Sequence, residues 1–188
     1  MWQSLFEEHP NLGARFLAVA LDAVRERVID LPEAQGVDFP ILIDAENTLG
    51  EAYGFTAVPN AFVIGPDGRI RYARYGFSIE RDPDRSELLA ALAGEEVHAA
   101  TSTSPPNPEA NRLFKEGRKA LERGDREEAL GLWRRALELD PDNWIVRKQI
   151  WAVEHPELFY PEIDTAWQKE RLRREGYVRR GETRGRRL

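Results

Sequence analysis

Between Asp38 and Phe77 the apolar positions change period several times within a short span. Ile41 to Ile43 is a short continuous apolar run bounded by Pro40 and Asp44, and reads as a buried strand. Asn47 to Tyr53 reads as a short helix, with Gly54 as its stop. Ala61 to Ile64 is a second apolar run, and Arg69 to Tyr75 alternates apolar with polar. Gly65-Pro66-Asp67-Gly68 joins the two: proline sets φ early in the turn and glycine supplies a positive φ at its end. Val58-Pro59 stands between the helix and this hairpin. Before the stretch, Trp2, Leu5 and Phe6 share one helical face, and Pro10 ends that helix at His9. Phe16 to Leu21 is a continuous apolar run, as expected of a buried parallel strand. Val24 to Gln35 is a charged amphipathic segment suited to a crossover helix. Ser86 to Ala93 is rich in helix formers, with Gly94 to close it.

A second pattern follows a break. Thr101 to Pro108 is a run of Ser, Thr, Pro and Asn that cannot build a core. Leu113, Gly117, Ala120, Ala129, Trp133, Ala136 and Pro141 then fall at the spacing of a tetratricopeptide repeat. Small residues on both helices permit close approach, Gly124-Asp125 makes the turn and Pro141 ends the second helix. A generic helical hairpin is the alternative. Asn143 to Glu154 predicts a third helix with Trp144, Ile145, Ile150 and Trp151 as its apolar residues. One repeat rarely buries its own apolar face. This unit is therefore expected to cap itself with the third helix, dock on the first domain, or pair with another chain, a homo-oligomer included. Trp133, Trp144, Trp151 and Trp167 are expected to be at least half buried.

Composition narrows the chemistry. The chain has 188 residues, 41% of them hydrophobic, enough for one medium domain or two small ones. No apolar run has the length of a membrane span, and Met1-Trp2-Gln3 opens neither a basic n-region nor an apolar h-region. The chain therefore reads as cytoplasmic, unless an export signal precedes it. There is no cysteine, so the chain itself offers no disulfide, zinc–thiolate site or cysteine nucleophile. Net charge is −6, unevenly spread: Gln168 to Leu188 holds nine Lys/Arg against three Glu. That basic tail reads as a solvated terminus. Its lone aromatic, Tyr177, gives no stacking platform, which argues against nucleic acid. The three histidines are far apart in sequence and set no metal-ligand spacing. No phosphate-loop motif occurs. Carboxylates alternate with arginines as solvated helix faces do, and Ser4 and Ser86 lack a triad context. No cofactor and no metal are expected.

The first stretch resembles the thioredoxin fold, in particular the TlpA/ResA-type thiol–disulfide oxidoreductases and the related AhpC/TSA peroxiredoxins. The resemblance rests on Pro40, Asp44, Gly50, Tyr53, Gly54, Val58-Pro59, Ala61-Phe62-Val63-Ile64 and Asp67-Gly68. It implies a cis Val58-Pro59 bond beside a redox centre, and a Val58 backbone that pairs with a substrate strand. It also implies a preceding strand and a Cys-x-x-Cys turn, which these residues lack. His155 to Gly176 is similar to the tail of a ResA-like subgroup whose motif reads W-A-x-x-U-G-S-F, with selenocysteine at U. On that resemblance Met1 is not the biological start, because a selenocysteine codon is normally read as stop. The rival is a degenerate homologue kept as a scaffold.

The expected architecture is therefore an α/β thioredoxin-like domain over residues 1–98, incomplete because its first strand is missing. A linker at 99–108, an all-α tetratricopeptide-like unit at 109–154 and an irregular or helical basic tail at 155–188 follow. Two functions stand open: a thiol- or selenol-dependent oxidoreductase without its catalytic motif, or a docking module. The expected partner is a protein, held at Val58 and Pro59 and on the repeat's concave face at Asn111, Phe114, Arg118 and Leu121. Those four do not match the Lys/Asn set that clamps C-terminal carboxylates. The purified 188-residue chain should show no turnover in an insulin-reduction assay, since a thiolate or selenolate is the nucleophile and the chain holds none; any turnover would refute this.

Overall fold

A computed structural model describes residues 2–9, 13–22, 24, 27–28, 34–97 and 105–177. Most of the expected crossover helix at Val24 to Gln35 and most of the linker lie outside the described residues, as does the tail beyond Tyr177. The N-terminal unit runs α1 (Trp2–Glu8), β1 (Ala18–Ala20), β2 (Ile41–Ile43), α2 (Thr48–Tyr53), β3 (Asn60–Ile64), β4 (Ile70–Tyr75) and α3 (Asp84–Leu92). β1 and β2 are parallel, with Ala18 opposite Ile41. β3 and β4 form the expected antiparallel hairpin, closed at Gly65–Gly68 by two backbone bonds. Among the described residues no ladder joins the two pairs.

The N-terminal core is small: Leu5 of α1, Ala61, Tyr72, Phe77, Ile79, Leu88 and Ala91 pack together. Asp84, fully buried at the start of α3, receives the Ser78 N–H and ion pairs from Arg74 and Arg81. Burial pushes its carboxyl up, but those donors win and hold it below its ordinary value. One expectation is corrected. β1 and β2 are not buried on both faces: Leu42 is 52% exposed and Leu17, just before β1, 55%. A parallel sheet buries such residues only when neighbouring strands and helices cover both faces, and two strands alone do not.

The C-terminal unit is α4 (Pro108–Glu122), α5 (Arg126–Leu139), α6 (Trp144–Glu154), a 3-10 turn (Pro156–Leu158) and α7 (Thr165–Arg174). Asn107, Asp125, Asn143 and Asp164 cap the four helices by accepting backbone N–H bonds. Trp133 and Trp151 are buried, and Trp144 and Trp167 are partly buried in the same core. The described part of the tail, expected to be irregular or helical, is helical over Thr165–Arg174. It returns onto this core, Trp167 edge-on to Trp151 at 5.6 Å between ring centres. Buried Arg147 fixes it further: the guanidinium lies 4.7 Å from the Tyr177 ring centre, pairs with Glu175 and donates to the Pro141 carbonyl.

Gly117 explains the closeness of α4 and α5. A Cβ there would lie 2.4 Å from Trp133 Nε1 and 3.0 Å from the Ala129 carbonyl oxygen. Trp133 lies stacked on Phe114 and donates its Nε1–H to the Phe114 carbonyl oxygen at 3.0 Å. Gly131, on α5, has open space where its Cβ would be. The same substitution should therefore have opposite signs at the two positions. Gly131→Ala should raise stability by roughly 0.5–1 kcal/mol through helix propensity. Gly117→Ala gains the same propensity but overpacks by about 1–3 kcal/mol and strains the Trp133 bond, so it should lower stability by about 1–2 kcal/mol. Urea denaturation of both variants checks the pair.

Candidate functional site

The loop from Gly54 to Pro59 is fixed by local chemistry before any tertiary contact. Asp44 receives the Thr48 and Leu49 N–H groups at 2.8 and 2.7 Å and so starts α2. Gly54 ends α2 in the left-handed region, φ 71°, where a side chain would be strained. Phe55 is then buried, its N–H bonded to the Gly50 carbonyl. Asn60, at the start of β3, donates to the Ala57 carbonyl and accepts from the Gly76 N–H, tying the loop to the end of β4. The Pro59 carbonyl accepts from the Phe77 N–H at 3.0 Å. The Val58–Pro59 peptide bond is cis. Val58 is 40% exposed and Pro59 is exposed, so the bend faces outward. Val58 makes no backbone hydrogen bond among the described residues, because the β3–β4 ladder begins at Asn60.

The second unit reaches this loop. The Ile145 N–H, in the first turn of α6, donates to the Thr56 carbonyl at 3.1 Å. One turn on, Gln149 Nε2 donates to the Leu21 carbonyl, just past β1, at 3.2 Å. Arg27 Nη1 donates to the Ala152 carbonyl at 3.0 Å. Tyr160 donates to the Asp22 carboxylate, and Arg27 lies over the Tyr160 ring at 4.7 Å. Burial pushes the Asp22 carboxyl up, against the lowering effect of Tyr160, the Val24 N–H and Arg27. The same burial, with the Asp22 charge beside it, pushes the Tyr160 hydroxyl well up. One face of α6 thus spans the carboxyl end of β1 and the approach to the amino end of β3.

α4 docks on α2. Asn47 is 1% exposed, sits at φ 55° and donates through Nδ2 to Asn111 Oδ1 at 3.3 Å. Asn47 Oδ1 and Asn111 Nδ2 have no hydrogen-bond partner among the described residues. Gly50 permits this, since a Cβ there would lie 2.0 Å from Asn47 Oδ1. Arg118 pairs with Glu46 at 2.7 Å and also with Glu122; Lys115 pairs with Glu51 at 2.8 Å.

These contacts correct the expected partner face. Asn111 and Phe114 are each 2% exposed, Arg118 is committed to Glu46 and Leu121 is packed against the helical core. The four residues serve the chain's own docking and hairpin core, so they do not form a solvent-facing concave surface. Val58 and Pro59, by contrast, are exposed as a binding loop requires. The pattern missed the α2–α4 contact because docking faces have no period. One signal was legible: Asn111 lies among Ala110, Leu113 and Phe114, on the apolar side of α4. Among the described residues no cluster of His, Asp and Glu could hold a metal ion, and no helix is long and apolar enough to cross a membrane.

Residues 2–73 match the model of the AhpC/TSA family. The chain is also similar to the thiol–disulfide oxidoreductase ResA of Bacillus subtilis (strain 168), 25% identical over 65 residues, which cover 35% of this chain. The match spans about a third of that relative, 36% of its length. No solved structure matches the chain significantly. The two matches support the thioredoxin-like oxidoreductase family for the N-terminal unit, and with it a thioredoxin-like α/β fold.

Asn47 offers a direct test of the interface. Asn47→Ala places a Cβ-bearing residue without a local hydrogen-bonding side chain in the left-handed region, at about 1–2 kcal/mol. It also leaves Asn111 buried and unpaired, at about 1–3 kcal/mol. A loss of roughly 2–4 kcal/mol is expected in urea denaturation. Asn47→Gly should recover the backbone part and leave the hydrogen-bond part, separating the two causes.

Proposed function

We propose that this chain belongs to a thioredoxin-family redox protein of the thiol- or selenol–disulfide oxidoreductase type, whose redox residue lies in polypeptide outside these 188 residues. One observation carries the reading: among the described residues the strands of the N-terminal unit form two separate pairs, β1–β2 and β3–β4, and the Val58–Pro59 loop leads into the second. α6 relates their edges. Ile145 and Gln149 are one turn apart, about 6 Å along the helix, and they contact Thr56 and Leu21 respectively. On this reading one further strand, parallel to β1, lies between β1 and β3 and joins all four strands. Its carboxyl end would emerge at the Thr56–Pro59 loop. That is where open α/β sheets hold their ligands, outside the carboxyl ends of parallel strands. A chalcogen nucleophile placed there has the unpaired Val58 backbone alongside, free to hold an extended substrate by strand addition.

The helical unit, a hairpin of tetratricopeptide type on this reading, then serves first as a wall of that site. A protein partner engages the Val58–Pro59 loop. A second reading has its own support: no residue of the 188 is cysteine. On that reading the chain is a docking module whose Val58 edge accepts an extended peptide without chemistry.

The genomic reading frame upstream of the Met1 codon separates the two. An in-frame apolar strand followed by W-A-x-x and a UGA or cysteine codon is expected. A frame with no strand and no such codon would overturn the redox reading and leave the docking module.

A further inference from the structure

Four lysines occur in the chain. Lys119 and Lys169 are exposed, and Lys115 is paired with Glu51. Lys148 differs from all three. It is partly buried and has no carboxylate partner among the described residues. Burial alone pulls its ammonium below the ordinary lysine value, with no neighbouring charge to offset it. Its position is defined by its neighbours on α6. Ile145, three residues before it, is bonded to Thr56; Gln149, next to it, is bonded to Leu21; Ala152, four residues after it, is bonded to Arg27. Residues three and four apart lie on one side of a helix. Lys148 therefore shares the side of α6 that bridges the carboxyl end of β1 and the loop before Pro59.

We propose that Lys148 is an anion-holding residue contributed by the helical unit to the crevice at the strand ends, where it takes one small monoanionic group, a chalcogenolate or a carboxylate. The proposal deepens the redox reading and rests on it for the identity of that crevice. A desolvated cation without a partner among the described residues has lost hydration and gained no counter-charge there. An anion placed against it restores the balance. The same cation would favour the ionised form of a thiol or selenol at the adjacent strand end, as neighbouring lysines do for thiols. Lys148 would thereby act through the nucleophile, as a positioning residue and not as a catalytic one.

The test uses the full chain as it stands and needs no redox residue. Reductive methylation with carbon-13 keeps each lysine cationic and gives one resolvable NMR signal per lysine. Two probes are titrated at neutral pH: 4-nitrothiophenolate as the thiolate and acetate as the carboxylate. The Lys148 signal, assigned by its loss in Lys148→Gln, should shift saturably with at least tenfold lower half-saturation than the exposed Lys119 and Lys169. Lys148→Arg should retain probe binding, measured by the absorbance of the bound thiolate. Response to the thiolate assigns the anion to the redox residue, and response to acetate alone assigns it to a substrate carboxylate. If Lys148 moves no more than Lys119 and Lys169 with either probe, the proposal is overturned. That failure would leave the upstream reading frame, which tests the redox reading, unaffected.

Discussion

Two parallel strands do not make a self-sufficient sheet, and this constraint shapes the rest of the molecule. β1 and β2 are three residues each, and neither face is fully covered. What holds the carboxyl end of β1 is the second unit. α6 supports the Leu21 carbonyl, Tyr160 supports Asp22, and the N–H of Ile145 supports the loop that leads into β3. The helical unit is thus part of the structure of the first unit as well as an appendage to it.

α4 has to satisfy partners on two sides. Inward, Gly117 lets Trp133 lie against it, and Phe114 stacks on the same indole. Toward α2, Asn111, Lys115 and Arg118 meet Asn47, Glu51 and Glu46. The two ion pairs involve partly exposed carboxylates and are each worth on the order of 0–1 kcal/mol. The buried Asn47–Asn111 pair leaves one oxygen and one amide nitrogen unpaired, so it adds little net stability. Its effect is on register: a misaligned α4 would bury four unpaired amide atoms instead of two. The tail follows the same economy. Arg147 lies among Trp144, Trp151 and Tyr177, and its head is closed by Glu175, so α7 is anchored to the core.

The Val58–Pro59 loop is held from three directions: the α2 cap at Gly54, the Asn60 amide and the α6 N-terminus. Each takes up a backbone group near the bend, and Val58 itself stays exposed. For the proposed strand addition, a fixed bend with Val58 and Pro59 exposed would leave little ordering to be done when a peptide arrives. The α6 face that braces this loop also carries the partly buried Lys148.

Much of this was legible from local pattern. The helix–X-Pro–hairpin order, the Gly54 cap, the Gly65–Gly68 turn and the α4–α5 hairpin each depend on periodicity and turn chemistry within a short window, and a sequence states these directly. The lack of cysteine was equally plain and already separated this chain's own residues from thiol chemistry. The exposure of Leu17 and Leu42 was not legible, because an apolar run signals a strand but not whether neighbours exist to cover it. Nor was the fate of Asn111 or the placing of Lys148. Asn47 and Asn111 are 64 positions apart, and Gln149 and Leu21 are 128 apart. Contacts at such separation leave no periodic trace in either segment. They are decided only when the two units close on each other and each buried polar group has to find a partner.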